Sequence, residues 1–254
     1  MTSALNIYAV KGIPLIDEQS PLAELIYTQI ASSDLGFCDG DVLVVAQKII
    51  SKAEGRLVRL ADVKVSDEAL ELAKEVDKDP RLVELILRES QQLVRTAPGV
   101  IIVRHHLGIV CANGGIDQSN VDHSQGECAL LLPRDPDHSA RQLRDSLIKL
   151  SGKRLSVIIS DSINRPWRLG TVGIAIGSAG LTVLDDRRGQ GDMFGRELKV
   201  TMSNNADSIA SSAMLIMGET TEKVPVVLVR GLIAMEGTQQ ASDSIRSTEE
   251  DLFL

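Results

Sequence analysis

The chain has 254 residues, of which 43% are hydrophobic, 24% charged and only 2% aromatic. This is globular composition, enough for one large domain or two closely joined ones, and it excludes a disordered tail. Twenty-seven basic against thirty-five acidic residues leave a net charge of −8, which argues against nucleic acid as a partner, and the scarcity of rings removes a stacking platform for single strands. Cys38, Cys111 and Cys128 are widely spaced without a CxxC, the pattern of reduced thiols in a cytoplasmic protein. The amino terminus lacks a basic segment followed by an apolar run, and no stretch approaches the roughly 18 apolar residues of a membrane span.

Residues 5–10 alternate and run into Gly12 and Pro14, which predicts a strand and a tight loop. Pro21 and the spacing of Leu22, Leu25, Ile26 and Ile30 predict a helix over 21–32. After the turn Asp39-Gly40-Asp41, residues 42–46 (VLVVA) read as a strand buried on both faces. Helices are expected over 66–78 and 80–94, the second with Leu82, Leu85, Ile86 and Leu93 on one face. Residues 100–103 and 108–111 predict paired strands, 130–132 a short apolar piece, and 139–150 an amphipathic helix with Leu143, Leu147 and Leu150 inward. A buried strand over 155–159 ends at Ser160-Asp161-Ser162, before a Gly-rich passage (170–180), a strand near 181–184 and a charged turn over 185–196. A helix of small residues over 206–217 precedes the last strand, 226–229. Helices and strands alternate irregularly, so the expected class is α+β with mixed or antiparallel sheets.

Polar chemistry gathers at the ends of these strands. Gly12, Ile13, Pro14 and Leu15 form a rigid loop that reads first as structural. Residues 50–56, with Ser51, Lys52 and Arg56 around Gly55, read equally as an anion cradle or as a solvated helix start or loop, and lack P-loop spacing. Turn chemistry explains Asn113-Gly114 but leaves Asp117 as a candidate metal ligand and Asn120 as a polar contact. Asp161 and Ser162 offer hard oxygens for Mg²⁺ or Mn²⁺, or else cap a helix. Arg165 and Arg168 flank the single Trp and could neutralise phosphate or a substrate carboxylate. Glu219, in the polar loop 217–224, is a third candidate carboxylate. The histidines show no metal spacing and no GxSxG elbow is present. Carboxylates, a lysine, arginines and glycine turns suit phosphoryl transfer, where catalysis is mostly positioning and charge neutralisation.

In order, GIPL (12–15), DGDVLVVAQKIISKAEGR (39–56), ANGGIDQSN (112–120), SDSINRPWRLGTVGIAIGSAG (160–180), GRELKVT (195–201) and MGE (217–219) resemble, along nearly the entire chain, the coenzyme F420-0:L-glutamate ligase family, which extends the glutamate tail of the deazaflavin F420. The resemblance implies GTP-dependent ligation of L-glutamate to F420-0, and γ-linked extension of the tail, through an acyl phosphate, with release of GDP and phosphate. It places Gly12, Ile13, Pro14, Leu15, Gln47, Lys48, Lys52, Asn120 and the loop Met217, Gly218, Glu219, Thr220, Thr221, Glu222, Lys223 and Val224 against GTP. It places Asp117, Asp161, Ser162 and Glu219 around divalent Mg²⁺ or Mn²⁺, with a monovalent cation such as K⁺ as a further partner, and makes Lys52, Arg165 and Arg168 the catalytic candidates. Ser162 stands where the family commonly has Thr, and either supplies a hydroxyl. The implied architecture is a single ligase unit over 1–254 of two interwoven subdomains, a butterfly-shaped homodimer with the site near the interface, and no carboxy-terminal nitroreductase-like domain. The alternatives are a metal-dependent phosphotransferase or phosphatase, a ligase for a related acceptor, and a non-catalytic nucleotide-binding module.

Overall fold

The apolar run after Asp41 lies at the centre of a five-stranded mixed sheet in the computed structural model, which describes residues 4–124, 126–232 and 236–251. The extreme residues at both chain ends, on which the leader and terminal-domain expectations bear, lie outside that range. The sheet order is β1 (Asn6–Ala9), β12 (Val226–Arg230), β2 (Asp41–Ala46), β8 (Leu155–Arg165) and β9 (Arg168–Ala179). Only β2 and β8 run parallel; the other neighbours are antiparallel.

Both faces of this sheet are covered, which is why β2 is continuously apolar rather than alternating. On one face Leu43, Val45, Val157, Ile159 and Leu228 meet Ile26 and Ile30 of α1 (Leu22–Ala31) and Ala140, Leu143 and Leu147 of α5 (Pro136–Ser151). On the other, Val42, Val44, Ile158, Val227 and Val229 meet Ala206, Ile209, Ala210 and Ala213 of α6 (Asn205–Met217). The small residues of α6 let it press onto β9, where a Cβ at Gly173 would stand 2.6 Å from the Ala210 carbonyl. Where β12 ends beside the start of β2, Arg230 grips the fully buried Asp41 through two bonds, Nε to Oδ1 at 2.7 Å and Nη2 to Oδ2 at 2.8 Å.

Between α2 (Gln47–Ala53) and α5 the chain leaves this layer and builds a second unit. There β3 (Leu57–Arg59) pairs with β7 (Cys128–Leu130), and β4 (Ser90–Ala97), β5 (Val100–His105) and β6 (Val110–Ala112) form an antiparallel sheet. Helices α3 (Asp67–Val76) and α4 (Pro80–Arg88) cover that sheet through Ala69, Ala73, Val76, Val83 and Ile86 against Ile101 and Val103. Arg56 ties the insertion to the main layer, donating from Nε to the Leu132 carbonyl at 2.8 Å and from Nη2 to Glu89 at 2.6 Å. A last ribbon pairs β10 (Leu184–Asp186) with β11 (Met202–Asn204). The α+β class expected from the sequence is therefore observed. Among the described residues no helix is long and apolar enough to cross a membrane.

Four expectations need correction. The helix over 80–94 stops at Arg88 and residues 90–97 form β4, because Val94 and Thr96 favour a strand and Gly99, at φ +80°, turns it back onto β5. Leu93 consequently lies on an exposed strand face, not on a helix stripe. Ser160, Asp161 and Ser162 lie within β8, which continues to Arg165, and the Gly-rich passage is its hairpin partner β9; no helix begins at Asp161. Residues 47–53 are helical, so Lys52 projects from the last turn of α2, and Leu150 faces outward on α5.

Replacing Asp41 leaves the Arg230 guanidinium with the Leu35 and Gly36 carbonyls and the Tyr8 ring but no counter-charge. Asp41→Ala should cost about 3 kcal/mol, the low end for breaking a buried pair because Arg230 keeps some access to water. Urea denaturation checks this: the midpoint falls while the m-value stays constant.

Candidate active site

The parallel register Ala46↔Ser160 puts the end of β2 beside the middle of β8, just before Asp161 and Ser162. The antiparallel β12 begins at the same end, held by Ala46 N donating to the Pro225 carbonyl at 2.8 Å. Val10 N donates to the Val226 carbonyl at 3.0 Å, bringing the exit of β1 there too. One edge of the sheet thus collects the loop after β1 with Gly12, Ile13, Pro14 and Leu15, the start of α2, Asp161 and Ser162, and the loop from Met217 to Val224. This is the end at which open α/β sheets place their ligands.

Asp117 reaches the same edge from the insertion. Gly114 and Gly115, both at φ +63°, turn the chain after β6, and Asp117 is then fixed by paired backbone bonds with Leu130 at 2.9 and 2.8 Å. A side chain at Gly115 would run into Leu132, 2.8 Å away. Gln47 Nε2 donates to Asp117 Oδ2 at 2.9 Å, and Lys48 Nζ stands 3.5 Å from the same oxygen. Gln47 is itself buried and accepts from Ser51 Oγ at 2.9 Å. The resemblance sets Gln47 against GTP; here both ends of its amide are engaged, and it orients Asp117. Nothing in the linear sequence announces that role, apart from the i, i+4 spacing of Gln47 and Ser51 on a helix.

Asp161 Oδ1 accepts from Ser162 N at 2.9 Å, and Ser162 Oγ donates to Glu219 Oε2 at 3.1 Å. Burial, followed by the facing Asp117, pushes the Asp161 carboxyl up to about 7. Burial also raises Asp117, against the pull of Lys48, and Glu219 adds to both. The three carboxylates therefore share one field, although among the described residues no three His, Cys, Asp or Glu side chains are gathered closely enough to hold a metal ion by themselves. Burial and the Asp161 charge push the Cys111 thiol up to about 12, which makes it a poor nucleophile.

The cations face these acids from α2. Lys52 Nζ donates to the Asn120 carbonyl at 2.9 Å and Lys48 Nζ to Ser119 Oγ at 3.1 Å. Burial and then Lys48 hold the Lys52 ammonium below its ordinary value. Met217 approaches Ser160 Oγ through its sulfur at 3.8 Å. Gly218, at φ +68°, begins a loop in which Glu222 accepts from Thr220 N at 2.8 Å. Thr221 and Lys223 are exposed there, while Val224 packs on the α6 face of the sheet. Arg165 and Arg168 stand apart, facing each other across the tip of the β8–β9 hairpin. That tip is four residues beyond Asp161, or roughly 13 Å along a strand, and Arg165 Nη1 donates to the Gly170 carbonyl at 3.1 Å.

Comparison with known proteins identifies the family. The sequence profile of the F420-0:Gamma-glutamyl ligase family matches residues 12–231. A coenzyme F420:L-glutamate ligase of Archaeoglobus fulgidus is 44% identical over 250 residues, covering 98% of this chain and 96% of the relative. Those of Methanopyrus kandleri (44% over 251 residues; 96% of each chain) and Methanocaldococcus jannaschii (44% over 236 residues; 93% of this chain, 91% of the relative) are similar. The chain belongs to the F420-0:gamma-glutamyl ligase family.

An aspartate with a raised pKa in the folded state binds its proton more tightly there than when unfolded. Its contribution is therefore present at low pH and lost as pH rises from the ordinary carboxylate range to about 7. Thermal melts in a chelator should show wild type losing stability across that interval, and Asp161→Asn losing less. Parallel curves for the two proteins would remove the mutual repulsion described above.

Proposed function

We propose that this member of the F420-0:gamma-glutamyl ligase family joins L-glutamate to F420-0, and extends the tail in γ linkage, in a GTP-dependent reaction. The carboxylate of the acceptor attacks the γ-phosphorus of GTP, forming an acyl phosphate and releasing GDP. The amine of glutamate then attacks the acyl carbon; phosphate leaves, the amine loses a proton, and an amide remains. The observation that carries this reading is the convergence of Asp117, Asp161 and Glu219 at one end of the sheet, facing Lys48 and Lys52, whose ammonium groups suit phosphate oxygens.

The donor set fits Mg²⁺ or Mn²⁺: Asp117, Asp161, Ser162 and Glu219 present only hard oxygens, and the acids repel one another without a cation between them. A monovalent ion such as K⁺ suits the same oxygen-rich edge. A divalent ion held there supplies charge neutralisation for the triphosphate. Gln47 and Lys48 orient Asp117 toward that position, and Lys52 presents its ammonium to a phosphate oxygen.

Homodimerisation is part of the proposal. Leu169, at the tip of the β8–β9 hairpin, and Met193 and Phe194, in the loop between β10 and β11, are 101%, 88% and 86% exposed, apolar side chains that a partner surface would cover. A partner covering these ribbons would also bring Arg165 and Arg168 of each hairpin into an enclosed setting.

Incubation with GTP, Mg²⁺ or Mn²⁺, glutamate and F420-0, read by mass spectrometry, should give a product heavier by one glutamyl residue per turnover. GTP hydrolysis without amide would assign a phosphatase instead. Lys52→Ala should weaken GTP use ten- to a hundredfold at subsaturating GTP, as expected for a charge-assisted contact worth about 1.5–3 kcal/mol, and Lys52→Arg should restore only part of it. Sedimentation of wild type should show a dimer, and Leu169→Asp with Phe194→Asp should shift it toward monomer with lower specific activity.

A further inference from the structure

A cavity of about 510 Å³ opens beside the carboxylate cluster, between the insertion, the β8–β9 hairpin and the carboxy-terminal segment 240–251. Its wall includes Ile163, Ile174 and Ile176, with Ile109, Val110 and Ile245 opposite. Ile174 is the cross-strand partner of Asp161, and Ile163 follows Asp161 by two residues. Directly opposed and alternate strand residues share a face, so the apolar wall begins next to the Asp161 side chain. The cavity and the carboxylates are two parts of one surface.

The polar groups in the cavity differ in how far they are engaged. Asp137 accepts from Ser178 N and Ala241 N at 2.8 Å each and from Ser242 N at 3.2 Å, so its charge anchors the carboxy-terminal segment. Asp207 accepts from Ala175 N at 2.9 Å and from Asn204 Nδ2 at 2.7 Å. Arg104 is the exception. It is only 9% exposed, yet its Nε meets no acceptor among the described residues. Its Nη1 reaches the Gly108 carbonyl at 3.4 Å, the weak limit for such a bond, and its Nη2 pairs with the Asp251 carboxylate at the same distance, which leaves Nε and the outer fork for a further anion. A buried guanidinium carries five fixed donors and favours a planar or tetrahedral anion that can take two at once.

We infer that this cavity seats the acceptor substrate, with its ring body against the isoleucines and an anionic group of its tail on Arg104. This rests on the ligase reading above and names the subsite it needs. The acceptor is favoured over glutamate because glutamate has no apolar body to meet this wall, and the volume lies in the range of ring-bearing ligands. The geometry also sets direction: the body lies in the cavity and the reacting carboxylate emerges beside Asp161.

The test is steady-state kinetics with each substrate varied in turn, joined to equilibrium titration of the acceptor alone by isothermal calorimetry. Arg104→Lys keeps the charge and loses the fork; Arg104→Met loses both. Ile163→Trp narrows the cavity without touching Arg104. We expect the acceptor KM and Kd to rise ten- to a hundredfold in Arg104→Met and Ile163→Trp, and less in Arg104→Lys, with the KM values of GTP and glutamate within twofold of wild type. Melting curves establish that each variant is folded, and Ile163→Trp decides the matter if the Arg104 variants are not. An unchanged acceptor KM, or a rise confined to glutamate, in an enzyme that still ligates would overturn this inference and leave the ligase reading intact. A wild-type protein that neither binds nor ligates the acceptor would overturn both.

Discussion

Everything at the site depends on the parallel pairing of β2 with β8. Two strands buried on both faces cannot slip by one residue without exchanging the layers that Leu43 and Val45, or Val42 and Val44, pack against. The register is thereby pinned, and with it the adjacency of Ala46 and Ser160. From that single adjacency the start of α2 and the Asp161-Ser162 pair must emerge as neighbours. The antiparallel β12 then has no choice but to deliver its preceding loop, with Glu219, to the same edge.

The electrostatics follow from this geometry. Three segments bring acids to one place, and the interior offers them few compensating groups. Gln47 and Lys48 partly compensate Asp117, and Ser162 bridges Asp161 to Glu219. What remains is an excess of negative charge on hard oxygens facing two lysines. Such an arrangement is costly in a structural role and useful where phosphates and cations come and go. The buried Arg104 shows the opposite sign of the same logic, a cation whose donors exceed its acceptors.

Much of this was legible in the sequence, for identifiable reasons. β2 could be read because a run of β-branched residues between a turn and a helix has few other uses. α1, α3, α5 and α6 followed from their apolar or small-residue spacing, although α5 begins at Pro136, three residues before the expected start, with Asp135 accepting from His138 N as its N-cap. The end of α4 was misread because Leu93 extends the helical period by coincidence; only the pairing of β4 with β5 overrides it. Asp117, Asp161 and Glu219 could each be nominated from local chemistry. Their meeting could not, since it depends on strand order and on the insertion folding back through Leu130. Gln47 as the orienting group of Asp117, and Arg104 facing a cavity, depend on tertiary contacts that carry no local signal.

The grip of Arg230 on Asp41 spans 189 positions of the chain, and this has a bearing on synthesis. β1 and β2 leave the ribosome well before β12, which lies between them in the sheet. Until then the aspartate has no cation and the two amino-terminal strands have no common neighbour. The insertion, built mostly from contacts close in sequence, can assemble meanwhile. The central sheet must wait for long-range closure, the slow kind of folding event in which strand edges stand open to other chains. The nascent protein is therefore most exposed to aggregation in the interval before β12 emerges, and the site, which needs Asp117 from the insertion and Glu219 from the loop before β12, cannot be complete until then.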